Sequence, residues 1–249
     1  MTKVYLVGAG PGATDLLTVR AARLLAEADI VFHDALVPQA ILALAPRAKK
    51  VAVGKRCGQH STVQQFINKQ LADAARTHRV VVRLKGGDPM LFGRAQEEIR
   101  FLRSRGITVQ IVPGVTAALA ASAELGVSLT QRGVARSVAF VTPRVGLGEA
   151  ASSWVSAVLA ADTAAIYMGA GDAVAISQAL ISAGKPAGTP VAVVENASLD
   201  LHTVLGRLDA LPSLAAQLSG GPALIFLGEV FSGAAAATRQ ALPRQSLAR

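Results

Sequence analysis

The chain has 249 residues, of which 51% are hydrophobic and only 4% aromatic, so Ala, Val and Leu must fill its core and an intrinsically disordered chain is excluded. A single cysteine, Cys57, rules out an internal disulfide, and the four histidines (His33, His60, His78, His202) lack metal-ligand spacing. With no apolar signal stretch at the start, this points to a cytoplasmic protein without a metal. The formal net charge of +9 is one-sided: 17 basic and 8 acidic residues precede Gly114 and eight of each follow, so the first half carries either a field that draws an anion (nucleic acid, a membrane surface or an acidic small molecule) or a plain solvated face.

In chain order, a strand over Val4–Val7 runs into the loop Gly8-Ala9-Gly10-Pro11-Gly12, and a helix follows from Thr18, a good N-cap, to about Ala28. Further strands fit Ile30–Phe32, Lys50–Val53, Val80–Leu84 and Thr108–Val112, with helices between them. One of these helices is Ala95–Arg105, closed by Gly106. Apolar runs bounded by helical periods indicate a parallel sheet. Val112-Pro113-Gly114 is the expected joint between two lobes, residues 1–113 and 114–249. The Ala-rich stretch Gly114–Val127 is broken by Glu124 and too short to span a bilayer, so it is expected to be a buried helix. The second lobe offers strands at Ser137–Thr142, Ala164–Met168, Val191–Glu195, Thr203–Arg207 and Ala223–Leu227, with helices near Ala173–Ala183 and Leu208–Leu218. Their close succession predicts a mixed sheet. No internal repeat is present, and from about 233 the chain is expected to be a loose tail.

Several motifs carry chemistry. Gly8-Ala9-Gly10-Pro11-Gly12-Ala13 with Asp34 some twenty residues on matches a dinucleotide fingerprint on paper. It fails on mechanism, because Ala13–Leu17 intervene before the helix and Pro11 removes an amide donor, which leaves an NAD-dependent oxidoreductase as a rival only. Lys85-Gly86-Gly87-Asp88-Pro89 puts a glycine loop at the C-terminal edge of the sheet, where open α/β proteins bind ligands. Asp88 there is either a ligand for a ribose or sulfonium group or a plain turn residue. Arg94 and Glu97 lie one turn apart at the start of a helix, as an ion pair or as a clamp, and Arg132 sits in a short loop before a strand.

Together these pieces resemble the tetrapyrrole methylase family. The likeness runs through residues 4–12, 28–34, 53–60, 82–89, 92–94 and 112–117, then Tyr167-Met168-Gly169, Val194-Glu195-Asn196-Ala197 and Gly221-Pro222-Ala223. The Gly54–His60 segment is closest to the members that act on uroporphyrinogen III. The resemblance implies a two-lobed α/β fold, a mainly parallel N-terminal sheet and a mixed C-terminal one, with the active-site cleft between them. It also implies S-adenosyl-L-methionine as methyl donor, released as S-adenosyl-L-homocysteine, and two C-methylations of uroporphyrinogen III, at carbons 2 and 7, giving precorrin-1 and then precorrin-2 for cobalamin or sirohaem biosynthesis. A homodimer is implied as well, with neither nucleic acid nor membrane as partner.

On the family's pattern Pro11, Gly86, Gly87, Asp88, Leu91, Thr116, Ala117, Met168, Ala197 and Ala223 are expected to bind the cofactor. Asp34 and Lys55 take acid and base roles, and Arg94, Glu97, Arg132 and Met168 contact substrate, Arg94 in family terms also sharing in catalysis. Arginine is a poor base, its pKa lying above about 12, so an electrostatic clamp is the expected role for Arg94. Where many relatives carry Thr-Gly-His this chain has Thr142-Pro143-Arg144. Relatives devoted to sirohaem can carry a further N-terminal module; this chain begins at the methylase and is expected to hand precorrin-2 on. Rival readings are a methyltransferase of another precorrin or of ribosomal RNA, and a non-catalytic anion-binding protein.

Overall fold

The computed structural model describes residues 3–53, 62–146 and 152–233. The elements follow in order as β1 (Lys3–Gly8), α1 (Val19–Glu27), β2 (Ile30–His33), α2 (Gln39–Ala43), β3 (Lys49–Ala52), α3 (Thr62–Thr77), β4 (Val81–Lys85), α4 (Ala95–Arg103), β5 (Thr108–Val112) and α5 (Ala117–Leu125). After these come β6 (Val138–Val141), α6 (Trp154–Ala160), β7 (Thr163–Tyr167), α7 (Ala173–Ser182), β8 (Pro190–Glu195), β9 (His202–Arg207), α8 (Leu211–Ala215) and β10 (Ala223–Leu227). The chain divides into two compact units, Met1–Ala120 with Ala197–Leu199, and Ala121–Asn196 with Asp200–Arg249.

In the first unit five parallel strands stand in the order β3-β2-β4-β1-β5. Successive side chains of a strand point to opposite faces, so each strand feeds two cores. Val7, Val31, Val82 and Leu84 pack with Ala21 and Leu25 of α1 and Ile41 and Leu42 of α2. Val4, Leu6, Phe32 and Val81 pack on the opposite face with Ile67 and Leu71 of α3 and Ile99 and Leu102 of α4. Thr18 caps α1 as its sequence predicts, its hydroxyl accepting from the Ala21 amide at 3.2 Å. Asp29 accepts from the Arg79 and Val80 amides (2.9 and 2.8 Å), which ties the start of β2 to the start of β4.

The second unit holds a mixed sheet in the order β6-β7-β10-β8-β9, parallel at β6–β7 and antiparallel elsewhere. Ile166, Val191, Val193, Ile225 and Leu227 pack there with Val158 of α6, Ile176 and Leu180 of α7, and Leu211 and Leu214 of α8. The helix expected over Leu208–Leu218 is a 3-10 turn, Leu208–Ala210, followed by α8, because Pro212 lacks an amide hydrogen and fits only a helix's first turn. Of α5, Ala118, Ala120 and Ala121 are buried and Leu119 is exposed, so that helix is covered on part of its surface rather than all round. No helix among the described residues is long and apolar enough to cross a membrane.

Candidate active site

Adjacent β1 and β4 end side by side, and their glycine loops join. The Ala9 amide donates to the Lys85 carbonyl (2.7 Å), and Gly10 and Gly87 exchange backbone hydrogen bonds at 3.2 and 2.7 Å. The β5 loop completes the edge: a Cβ on Gly8 would stand 2.6 Å from Gly114 Cα and 2.7 Å from the Gly87 carbonyl oxygen, so only glycine lets the three backbones approach. Asp88 uses both carboxylate oxygens on this framework, Oδ2 accepting from the Gly114 amide (2.9 Å) and Oδ1 from the Met90 amide (2.7 Å). Its turn role is therefore built in. Gly86 and Gly87 face open space, where an added Cβ would meet only Leu36 Cβ at 3.6 Å or Thr116 Cα at 4.0 Å. A ligand can therefore approach this backbone closely, which is what an adenosyl donor requires of the loop. After Pro11 and Gly12 the chain makes a 3-10 turn, Thr14–Leu16, before α1 begins, so no helix N-terminus meets the loop and the dinucleotide arrangement is absent.

Beneath this edge lies an ionic cluster that the sequence reading missed. Alternation along β4 puts Arg83 and Lys85 on the α3–α4 face, where their side chains are 3% and 4% exposed. Fully buried Glu98 of α4 accepts through Oε1 from Arg83 Nε (3.1 Å), Lys85 Nζ (3.2 Å) and Gln64 Nε2 of α3 (3.1 Å). Arg83 Nη2 reaches Asp34 Oδ1 at 2.5 Å, and Nη1 donates to the Leu84 carbonyl at 3.1 Å. Burial alone lowers the pKa of a cation. At Arg83 the charges of Asp34 and Glu98 reverse that and raise it, whereas at Lys85 burial and the Arg83 charge win and lower it despite Glu98. The legible signal was two cations spaced by two in a strand that must be buried on both faces, since such charges need partners.

Asp34, just past β2, has a side chain 30% exposed. Among the described residues its Oδ2 has no hydrogen-bond partner. Lys55 and the rest of the Gly54–His60 segment lie outside the described residues. Arg94 grips Glu97 with both arms of its fork, Nε to Oε1 at 2.6 Å and Nη2 to Oε2 at 2.7 Å, and the guanidinium draws the Glu97 carboxyl below its ordinary range. Half of each side chain remains exposed. Leu91 is partly buried in the turn leading to this pair, and Thr116 and Ala117 lie where α5 begins.

Met168, in the second unit, follows β7 and is 43% exposed. Ala197 follows β8 and is buried, while Ala223 opens β10. Glu195, at the end of β8, is buried and accepts from the Ser219 amide (3.0 Å) and hydroxyl (2.8 Å) and the Gly221 amide (2.5 Å), fastening the approach to Ala223. Burial pushes its pKa up, yet these bonds and His202 bring it down to about 2. Arg132 lies in the exposed turn bridged by Gln131 and Ala135. All five non-glycine residues with left-handed backbone among the described residues, Phe92, Arg94, Met168, Asn196 and Ser198, are expected site positions or their immediate neighbours. Such conformations cost roughly 1–3 kcal/mol each and collect at functional sites.

Comparison with known proteins agrees. The model of the Tetrapyrrole (Corrin/Porphyrin) Methylases matches residues 3–212. The siroheme synthase of Psychrobacter cryohalolentis is 46% identical over 235 residues, 93% of this chain and 45% of that protein, so the chain spans about half the length of the curated relatives it matches. A uroporphyrin-III C-methyl transferase from Thermus thermophilus, solved with S-adenyl homocysteine, is 42% identical with a TM-score of 0.81 and covers 92% of this chain and 98% of its own. A cobalt precorrin-4 methyltransferase superposes with a TM-score of 0.80 at 29% identity, over 92% of this chain and 96% of its own. The match over most of the chain, on a parallel and a mixed sheet with glycine loops at the strand ends, makes this protein a member of the tetrapyrrole (corrin/porphyrin) methylases, a family of S-adenosylmethionine-dependent transferases.

Proposed function

We propose that this protein methylates uroporphyrinogen III at carbons 2 and 7, giving precorrin-1 and then precorrin-2. The carrying observation is its likeness, over 92% of the chain, to the Thermus enzyme. The methyl donor supplies an activated CH₃ on a sulfonium. When a ring carbon's electron pair forms the new C–C bond, the S–CH₃ bond breaks, the thioether leaves neutral, and positive charge passes to the pyrrole until its N–H proton is lost. What the chain supplies is placement and charge. The open backbone at Gly86 and Gly87, with Pro11, Asp88, Leu91, Thr116 and Ala117, binds the donor, and on the family's pattern Met168, Ala197 and Ala223 belong to the same set. Asp88 acts there by fixing the loops, both its oxygens being taken.

Asp34 offers Oδ2 to the migrating proton, and Lys55 is its partner in acid–base work. Arg94, with Glu97 holding its fork, clamps a substrate carboxylate, helped by Arg132 and Met168. The substrate carries eight carboxylates, and the positive excess before Gly114 has the sign to attract them. Holding two reactants in line is worth roughly 7–11 kcal/mol, and a placed base adds about 10²–10⁴-fold. We also propose a cytoplasmic homodimer and a product destined for sirohaem or cobalamin. The relatives named siroheme synthase support the first branch, and the precorrin-4 neighbour supports the second. Anaerobic incubation with uroporphyrinogen III and methyl-labelled donor is expected to place two labels on each ring. A ring that stays unlabelled while the donor binds would overturn the substrate.

A further inference from the structure

Of the four charged members of the buried cluster, Asp34 alone reaches the surface, and the bonds run to it in one line from Lys85 and Gln64 through Glu98 and Arg83. We propose that Arg83, Glu98 and Lys85 are positioning residues that hold Asp34 for catalysis, an inference that rests on reading Asp34 as an acid–base group.

The arrangement is poorly explained as support for the core. Apolar side chains at 83 and 85 would fill a strand buried on both faces without taking two cations out of water, and such replacements are often neutral or stabilising. The grip on Asp34 is one-handed: Arg83 takes Oδ1 and leaves Oδ2 without a partner among the described residues. A residue meant only to be neutralised would offer both oxygens to the guanidinium fork, the strongest form of that pair. Arg83 cannot turn to do so, because Nε is committed to Glu98 and Nη1 to the Leu84 carbonyl. Glu98 is fixed in turn by three donors on a single oxygen, while its Oε2 has none. The far end of the network touches the substrate clamp. A Cβ on Gly93 would stand 3.1 Å from Lys85 Cε, so the Phe92-Gly93-Arg94 turn rests on the lysine stem. A placement error at Glu98 therefore passes to Asp34 through Arg83, while the lysine stem beside the Phe92-Gly93-Arg94 turn is left in place by changes at 83 and 98.

A double-mutant cycle tests this. Arg83→Gln and Glu98→Gln are expected to lower kcat about 10²-fold, with donor affinity, read by calorimetry, changed by less than about 3-fold. In an Asp34→Asn background the same substitutions are expected to cost less than about 3-fold, because the group they position is already silent. Arg83→Lys keeps the charge but loses the fork, and serves where the neutral variants fold poorly. Its loss of kcat must likewise vanish in the Asp34→Asn background. Losses that multiply independently in the two backgrounds would show a structural role only and overturn the network. Full turnover by Asp34→Asn alone would overturn the reading of Asp34 itself and the network with it.

Discussion

Arg94 joins an internal bond to the binding role proposed for it. Its fork is closed on Glu97, yet both side chains are half exposed, so the pair contributes little stability. Lysine at this position keeps the charge but not the two-armed geometry. Arg94→Lys is therefore expected to cut kcat about 10- to 100-fold while leaving the donor's Kd nearly unchanged, measured by labelled turnover and calorimetry. Glu195 works the other way, as a buried staple. Its folded pKa of about 2 lies below its ordinary 4.5, so unfolding at low pH takes up a proton and stability rises with pH between these values. The stabilisation is complete above about pH 4.5 and is lost as pH falls towards 2. Glu195→Gln is expected to flatten that dependence in urea melts at pH 3 to 5.

Among the elements, strands β1, β4 and β5 must end with their backbones in near contact, and the sequence makes this possible with Gly8 and Gly114. The three nearest atoms that a Cβ on Gly8 would meet are backbone, which cannot swing aside. Gly8→Ala is thus expected to cost about 1–3 kcal/mol in chemical denaturation and to weaken donor binding as the loops part. The strands were legible because each is a short apolar run closed by a turn, and the alternation of buried layers follows from the parallel sheet. The α4 helix and its glycine stop were legible for the same reason. What escaped were the seven-residue α6, too short to show a helical period, and the break at Pro212, while the five-residue α2 was expected without bounds as one of the helices between strands. Arg83 and Lys85 escaped because a motif ending in Gly-Gly-Asp-Pro draws attention to the loop, while their partner Glu98 lies thirteen residues beyond Lys85 on another element. The left-handed backbone at Phe92, Arg94, Met168 and Ser198 was not legible, since nothing in those side chains announces it, whereas Asn196 is of a type that adopts it more readily.

Across the whole molecule the excess positive charge belongs to the part of the sequence that precedes Gly114. A field of this sign acts at a distance on a substrate with many carboxylates and hardly on a donor carrying both signs of charge, and it shortens from about 10 Å at 0.1 M salt to about 3 Å at 1 M. Raising ionic strength over that range is expected to increase KM for uroporphyrinogen III several-fold and to leave KM for the methyl donor within about 2-fold. Equal sensitivity of the two would place the attraction elsewhere.

The strand order has a consequence for how the first unit comes to exist. β1 pairs only with β4 and β5, so during synthesis it finds no neighbour until some seventy residues have followed it. Until then β2 and β3 can join each other, while the apolar side chains of β1 wait uncovered, a long-range closure of the kind that slows folding and invites misassociation. A fragment stopped at Arg79 is therefore expected to show no cooperative melting transition, and one carried through Val112 to gain it. For nascent chains of this protein, the passage from residue 8 to residue 81 is the interval in which a chaperone has most to do.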